Sequence, residues 1–241
     1  MELPDSEIYE QELEYMPYKD SLNKVISYIS ENAPQNGSLI DLMCGPGYLL
    51  GKIALARRDL KLEGSDIDER YISFATQKYP HLKFKLEDVL SLNPEKQYDI
   101  VMCTGALHHV PYDKQEEAVR KMTSLVKPNG FLLISDCYID DYANETQRRI
   151  AAVKLGHEYL KETIQNGAPE EVIIPTIEIL ANDVLMKEFK TSLKKRTEIF
   201  KRLFSNVRTF KTWPNFESEY GDYISICESK FNFKVDLNYF Q

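Results

Sequence analysis

The stretch 39-LIDLMCGPGYLLGKIA-54 decides the fold. Residues 39–43 form a short apolar run of strand length, Gly45 and Gly47 mark a turn, and an apolar pattern of helical spacing opens at Tyr48 and holds Gly51. A strand that turns through glycines into a helix lets a ligand approach the main chain, and the helix start offers unsatisfied N–H groups to an anion. Asp66 follows about 20 residues on, at the end of the next apolar run, placed to accept hydrogen bonds from ribose hydroxyls. Two features separate this turn from a dinucleotide site. Its spacing is Gly-x-Gly-x-x-x-Gly, not Gly-x-Gly-x-x-Gly. Asp41, an acid inside the strand, repels a pyrophosphate and suits a cationic ligand. A third acid, Asp88, follows the third strand in 84-FKLEDVLSL-92.

Working outward, apolar runs at 39–43, 60–64, 82–85, 99–102 and 130–134 alternate with helical patterns at 48–57, 69–78 and 114–126. That alternation predicts a parallel sheet covered by helices on both faces. From about 140 to 204 the spacing is helical throughout, interrupted by Asn166-Gly167-Ala168-Pro169. Runs at 206–213 and 220–228 then predict an antiparallel hairpin at the sheet edge. The expected organisation is one doubly wound α/β domain over 1–241. It has an N-terminal helical segment (1–34), a cofactor-binding core (38–138), a helical cap (140–204) and a final β-hairpin (206–230). A cap inserted after the fifth strand emerges at the carboxyl ends of the strands, where open α/β sheets bind ligands.

The 241 residues are 43% apolar and 28% charged, with net charge -8. That charge argues against nucleic-acid and anionic-membrane partners, which need clustered Lys and Arg. The one basic run, Lys194-Lys195-Arg196, reads as a solvated helix face. No apolar run reaches the ~18 residues of a membrane span. The first residues have neither the basic start nor the apolar stretch of a signal peptide. Cys44, Cys103, Cys137 and Cys227 are scattered without CxxC spacing, as free thiols in a reducing cytoplasm would be.

Five motifs, in order, carry a family resemblance. They are 41-DLMCGPG-47, 62-LEGSDID-68, 84-FKLEDVLSL-92, 98-YDIVMCTGALHHV-110 and 125-LVKPNGFLLISD-136. Together they resemble the class I S-adenosylmethionine-dependent methyltransferases of the small-molecule type. The resemblance implies a Rossmann-like, mostly parallel seven-stranded sheet with its last strand antiparallel, and S-adenosyl-L-methionine as cofactor. It implies that Asp66 holds the ribose, that Asp88 meets the adenine amino group, and that carbonyls near Gly45 and Cys103 meet the cofactor amine. The chemistry agrees: Asp41, Asp66 and Asp88 suit cationic and donor groups, and helix N–H groups after Gly47 suit a carboxylate. Ile67 and Val89, each beside an acid, are expected to sandwich the adenine. Tyr9, Tyr15 and Tyr18 lie in a segment that often closes over the cofactor in related enzymes, with Tyr15 and Tyr18 the chosen candidates.

Methyl transfer needs alignment of the acceptor, and a base only where the nucleophile arrives protonated. The catalytic candidates are His108 and His109, in the turn after the fourth strand, and Asp136, at the end of the fifth. A packing role competes for both histidines. His81 reads as a solvent residue, and His157 as a cap residue facing either solvent or acceptor. His108, His109, Asp136, Asp140 and His157 match no metal-ligand spacing, so no metal is expected. The Asn/Asp-Pro-Pro-Tyr/Phe motif of base- and glutamine-methylating relatives is absent. A capped pocket favours a small molecule with an oxygen, nitrogen or carbon nucleophile. Ile150, Val153, Ile173, Ile177, Leu180 and Phe189 supply its apolar residues, and Arg148, Arg149 and Lys187 are candidate carboxylate anchors. Two other readings stay open: a non-catalytic S-adenosylmethionine-binding protein and an NAD(P)-dependent oxidoreductase. The chain is expected to be a monomer or a homodimer.

Overall fold

The computed structural model describes residues 6–92, 96–185 and 187–231. The first five residues of the N-terminal segment, and the Tyr9 side chain, lie outside the described set.

Strand β1 (Ser38–Leu42) is buried at every position, as a strand covered on both faces must be. It lies inside a seven-stranded sheet with β2 (Lys61–Asp66), β3 (Lys83–Leu86), β4 (Tyr98–Thr104), β5 (Val126–Tyr138), β6 (Phe204–Trp213) and β7 (Gly221–Lys230). The order is β3-β2-β1-β4-β5-β7-β6. The first five strands are parallel, and β7 runs antiparallel to both neighbours. The expected edge hairpin therefore differs in one respect: β7 enters between β5 and β6, so β6 forms the edge opposite β3. Strand β5 begins at Val126, ahead of the expected 130, and pairs with β4 across an irregularity between Tyr98 and Ile100. Gly130 permits this close approach, since a Cβ there would lie 2.5 Å from the Asp99 carbonyl oxygen.

Helices cover both faces. On one, α2 (Tyr18–Asn32) and α3 (Tyr48–Ala56) bury Val25, Ile29, Leu50 and Ile53 against Leu39, Ile100 and Leu133. On the other, α5 (Tyr112–Ser124) and α8 (Leu193–Leu203) bury Val119, Met122 and Phe200 against Val101, Leu132 and Ile134. Helix α4 (Glu69–Lys78) starts on Asp68, whose carboxylate accepts from the Arg70 N–H. The expected cap is thus shorter than 140–204, because α8 belongs to the helix layer of the sheet. Its basic run is only partly a solvated face: the Lys194 side chain is 71% exposed, but Arg196 is buried and donates to Gln115 Oε1 at 2.9 Å.

The cap is a helical hairpin of α6 (Glu145–Gln165) and α7 (Glu170–Val184). The Asn144 side chain caps α6 by accepting from the Gln147 N–H. Gly156 lets the helices meet, since a Cβ there would lie 2.6 Å from Leu180 Cδ1. Helix α1 (Ser6–Tyr15) precedes α2, and its last carbonyl, on Tyr15, accepts from Asn166 Nδ2 at 2.7 Å. The N-terminal segment and the cap are therefore joined.

Candidate active site

The glycine turn after β1 has left-handed backbone at Met43, Gly45 and Gly47, with φ values of 59°, 53° and 80°. A Cβ on Gly47 would meet the Phe84 ring at 2.9 Å, so glycine is required there by conformation and by space. The Gly45 N–H donates to Asp66 Oδ2 at 2.8 Å, and the Asp68 N–H donates to Asp66 Oδ1 at 2.9 Å. Asp66, at the carboxyl end of β2, thereby fixes the turn after β1. Burial pushes its carboxyl up, while these backbone donors pull it back.

Asp41 is 1% exposed, and its Oδ1 is buried with no hydrogen-bond partner. Burial, with the Asp66 charge adding, pushes this carboxyl well above the usual range. The expected repulsion of a pyrophosphate needs an ionised Asp41, and burial works against that form. The unpaired oxygen remains suited to a donor. Asp88 is half-buried and accepts from the Leu90 N–H at 2.9 Å. Ile67 is 64% exposed and offers an open apolar surface. Val89 instead packs in the core with Leu92 and Leu107, so the expected pair does not present two exposed faces.

Cys103 is fully buried near the end of β4. Past it, Gly105 turns with φ 60°, and a Cβ there would lie 2.7 Å from the Tyr18 hydroxyl. Tyr18 thus reaches the end of β4. The cleft between the N-terminal helices and the glycine turn is lined by Leu13, Leu22, Met43, Cys44, Tyr48 and Thr104, among others. Leu13 of α1 faces this turn, while half-buried Tyr15 is tied through its carbonyl to the cap.

At the ends of β4 and β5, His108 Nδ1 lies 2.6 Å from Asp136 Oδ1, both buried. Burial alone would strip the imidazolium of its proton, but the neighbouring Cys137 sulfur and the Asp136 carboxylate outweigh it and raise His108 well above the histidine range. Burial holds the Cys137 thiol above its ordinary value, so we assign the effect on His108 to Asp136. The His109 ring lies 4.2 Å from that of His108, centroid to centroid, and burial together with the His108 charge pushes it down to about 3. Burial thus favours the neutral ring at His109, whose Nδ1 is buried without a hydrogen-bond partner.

The loop after α7 closes over this pair. Glu188 Oε2 lies 3.8 Å from His108 Nε2, and Lys190 Nζ donates to Glu188 at 2.5 Å and to Asp183 Oδ2 at 2.8 Å. Asp222, opposite Cys137 in the sheet, accepts from the Tyr159 hydroxyl; its Oδ2 is buried without a partner, and burial raises it to about 7. Ligand atoms of His108, Asp136 and Cys137, and of His108, His109 and Glu188, fall within 4.8 Å of one another. Lys190 already supplies the positive charge at Glu188, so the cluster is organised as an ion network.

The cap contributes fewer expected residues than its sequence offered. Ile150, Val153 and Ile177 lie on its outer face at 65%, 43% and 47% exposure, and the His157 side chain is 69% exposed. Leu180 packs at Gly156, and Phe189 stacks edge-on against Tyr112. Of the cationic candidates, Arg149 and Lys187 are exposed; Arg148 alone is buried, donating to the Asp183 carbonyl at 3.0 Å. Asp140 pairs with Lys154 at 2.6 Å.

A family model described as a methyltransferase domain matches residues 39–130, the segment holding the glycine turn, Asp66, Asp88 and the β4 turn. That segment, less than half of the chain, is similar to methyltransferase domains. The chain is 28% identical over 132 residues to a putative methyltransferase, YqeM, of Bacillus subtilis, covering 52% of this chain and 51% of that protein. It is 28% identical over 121 residues to the trans-aconitate 2-methyltransferase of Variovorax paradoxus, covering 50% and 45%. The chain spans about half the length of these curated relatives. Its fold is similar to the N-methyltransferase NodS of Bradyrhizobium japonicum, solved with S-adenosylhomocysteine, with TM-score 0.61, 13% identity, and 90% of each chain covered.

Sequence reasoning missed Glu188, Lys190, Asp183, Asp222 and Tyr159. Glu188 and Lys190 have one legible signal, alternating charge in 187-KEFK-190 after a helix. The others are single polar residues in helices or at a strand start, and only the tertiary fold gathers them.

Proposed function

We propose that this protein transfers the methyl group of S-adenosyl-L-methionine to a small-molecule acceptor seated between the ends of β4 and β5 and the α6–α7 hairpin. The observation carrying this reading is the Asp66 carboxylate bonded to the Gly45 N–H inside the family-matching segment. It gives the turn the preorganised shape a nucleoside needs. The cofactor, when bound, supplies a methyl group on a sulfonium sulfur, open to in-line displacement. Asp66 would hold its ribose, Asp88 its adenine edge, Ile67 the ring face, and the unpaired Asp41 Oδ1 and the β4 carbonyls its amine. Leu13 and Tyr18 exclude water from that side.

The chain's own catalytic work falls to His108. Asp136 orients the ring through Nδ1 and leaves Nε2 toward Glu188 and the cap. With its proton held by Asp136, His108 at neutral pH donates a hydrogen bond to an acceptor oxygen or nitrogen. It takes a proton only as pH rises through its raised value. The unpaired oxygens of Asp136 and Asp222 are further anchors for donor groups. The acidic charge of the chain supports a small acceptor over a nucleic acid.

The test is calorimetric titration with S-adenosylhomocysteine and with NAD(P)H, followed by transfer of labelled methyl from S-adenosylmethionine to a panel of small hydroxyl, amine and carboxylate acceptors. Homocysteine-analogue binding with label transfer supports the reading. Nicotinamide binding alone, or cofactor binding without transfer to any acceptor, overturns it in favour of an oxidoreductase or a silent binder.

A further inference from the structure

The outer face of the cap carries an apolar seam that the active site does not use. On α6, Ile150, Val153, His157, Leu160 and Ile164 recur at alternating steps of three and four, the spacing of a helix-packing seam. Ile150 is 65% and Ile164 51% exposed, and a shallow groove runs along His157, Leu160 and Ile164. On α7, Ile174, Ile177, Ala181 and Leu185 form a second stripe, with Ile174 49% and Leu185 63% exposed. Both seams lie opposite the side that each helix buries: Ala152 and Leu155 on α6, Val172 and Thr176 on α7. The two stripes therefore share one surface. Scattered exposed apolar residues are ordinary, but two aligned rows on adjacent helices mark an interface.

Charge identifies the occupant. Lys154 and Lys161 flank the α6 seam one heptad apart, 51% and 54% exposed, each in a solvent-screened surface pair, with Asp140 and Glu158, that is weak enough to exchange for a partner's acid. Glu171 and Glu178 flank the α7 seam, also one heptad apart, exposed and with no ion pair among the described residues; Glu178 lies on the flank nearer α1, where its charge acts on Glu12. The α6–α7 turn sets the levels: Lys161 and Glu171 are both near it, and Lys154 and Glu178 both lie about two helical turns further away. A second copy rotated about a two-fold axis parallel to the helices sets α6 against α7 of its partner at matching levels, in both directions at once. An anionic lipid surface would meet the acids of α7 as well as the lysines of α6, and so fits less well.

We propose that the α6–α7 hairpins of two chains pack face to face as a four-helix bundle, with Lys154 and Lys161 of each copy against Glu178 and Glu171 of the other. The dimer would clamp the cap from outside, while Arg148 and Asp183, on the inner faces of the same helices, carry the buried network. This inference does not depend on which reaction the protein catalyses.

Sedimentation velocity of the full chain tests it. The wild type is expected to dimerise, and Ile150→Asp with Ile177→Asp to raise the dimer dissociation constant at least about tenfold, with an unchanged far-ultraviolet circular dichroism spectrum. Charge reversal gives the stricter arm. Lys154→Glu/Lys161→Glu chains and Glu171→Lys/Glu178→Lys chains are each expected to be monomeric alone and to form a heterodimer when mixed. A monomeric wild type, a dimer that survives the aspartates, or no heterodimer on mixing overturns the proposal. So does a wild type that is monomeric in solution but floats with phosphatidylglycerol vesicles.

Discussion

Asp136 Oδ1, near the carboxyl end of β5, stands 2.6 Å from His108 Nδ1, in the short helical turn that follows the adjacent parallel strand β4, so a carboxylate fixed in the sheet sets the orientation of the ring. The carboxylate stabilises the imidazolium, and the pair strengthens the fold where His108 is charged. That contribution is fully present below the ordinary histidine value and is lost as pH rises through the raised one. Asp136→Asn is expected to return His108 toward its ordinary value, a drop of at least about one unit, read from the imidazole proton shifts in an NMR titration. Where the acceptor is a protonated oxygen or nitrogen, turnover is expected to fall about 100-fold. An unmoved His108 titration would show that Asp136 does not hold the proton.

The bond from the Gly45 N–H to Asp66 at 2.8 Å makes the second acid both a ligand for ribose and a brace for the turn. Asp66→Ala removes both, and the affinity for S-adenosylhomocysteine is expected to fall more than about tenfold by calorimetry. Asp66→Asn keeps an oxygen for the turn but loses the charge, and its affinity should lie between the two. An alanine variant that binds as wild type would place the ribose elsewhere.

At Gly130 the constraint is backbone on backbone. A Cβ would lie 2.5 Å from the Asp99 carbonyl oxygen and 3.1 Å from that of Tyr98, and neither carbonyl belongs to a flexible side chain. Gly130→Ala is therefore expected to destabilise the fold by about 1–3 kcal/mol in urea unfolding, as overpacking does. A neutral result would mean that the β4–β5 irregularity absorbs the methyl group.

What the sequence disclosed follows from how local each signal is. The turn from β1 into α3, the acids at strand ends and the alternation of strands and helices are short-range patterns, and each was legible. The expected helix at 69–78 matches α4 end to end, and in the structure the Asp68 side chain caps its start. The position of β7 between β5 and β6 was not legible, since a hairpin reads the same whichever of its strands lies outermost. Arg196 shows the same limit: it follows two lysines on a helix, yet that position turns inward, where Gln115 waits on another element. Ile150, Val153 and Ile177 read as pocket lining in the sequence, yet they lie on the outer face, because apolar spacing shows that a helix has an apolar face but not what the face meets.

Glu12 gives the last prediction, and it concerns the join between α1 and the cap. The residue is 5% exposed, and its Oε1 is buried without a partner. Burial, with Glu178 of α7 adding repulsion, raises its carboxyl from 4.5 to about 7. The folded chain thus binds this proton more tightly than the unfolded chain does. The resulting stability is fully present below about pH 4.5 and is lost as pH rises through about 7. Glu12→Gln keeps the shape and removes the charge, so it should leave stability unchanged near pH 4 and raise it by about 1–3 kcal/mol at pH 8. Urea unfolding of both proteins across this range is the measurement. If the gain is absent at pH 8, α1 has opened there to let Glu12 ionise in water, and proteolysis within α1 should then quicken over the same interval.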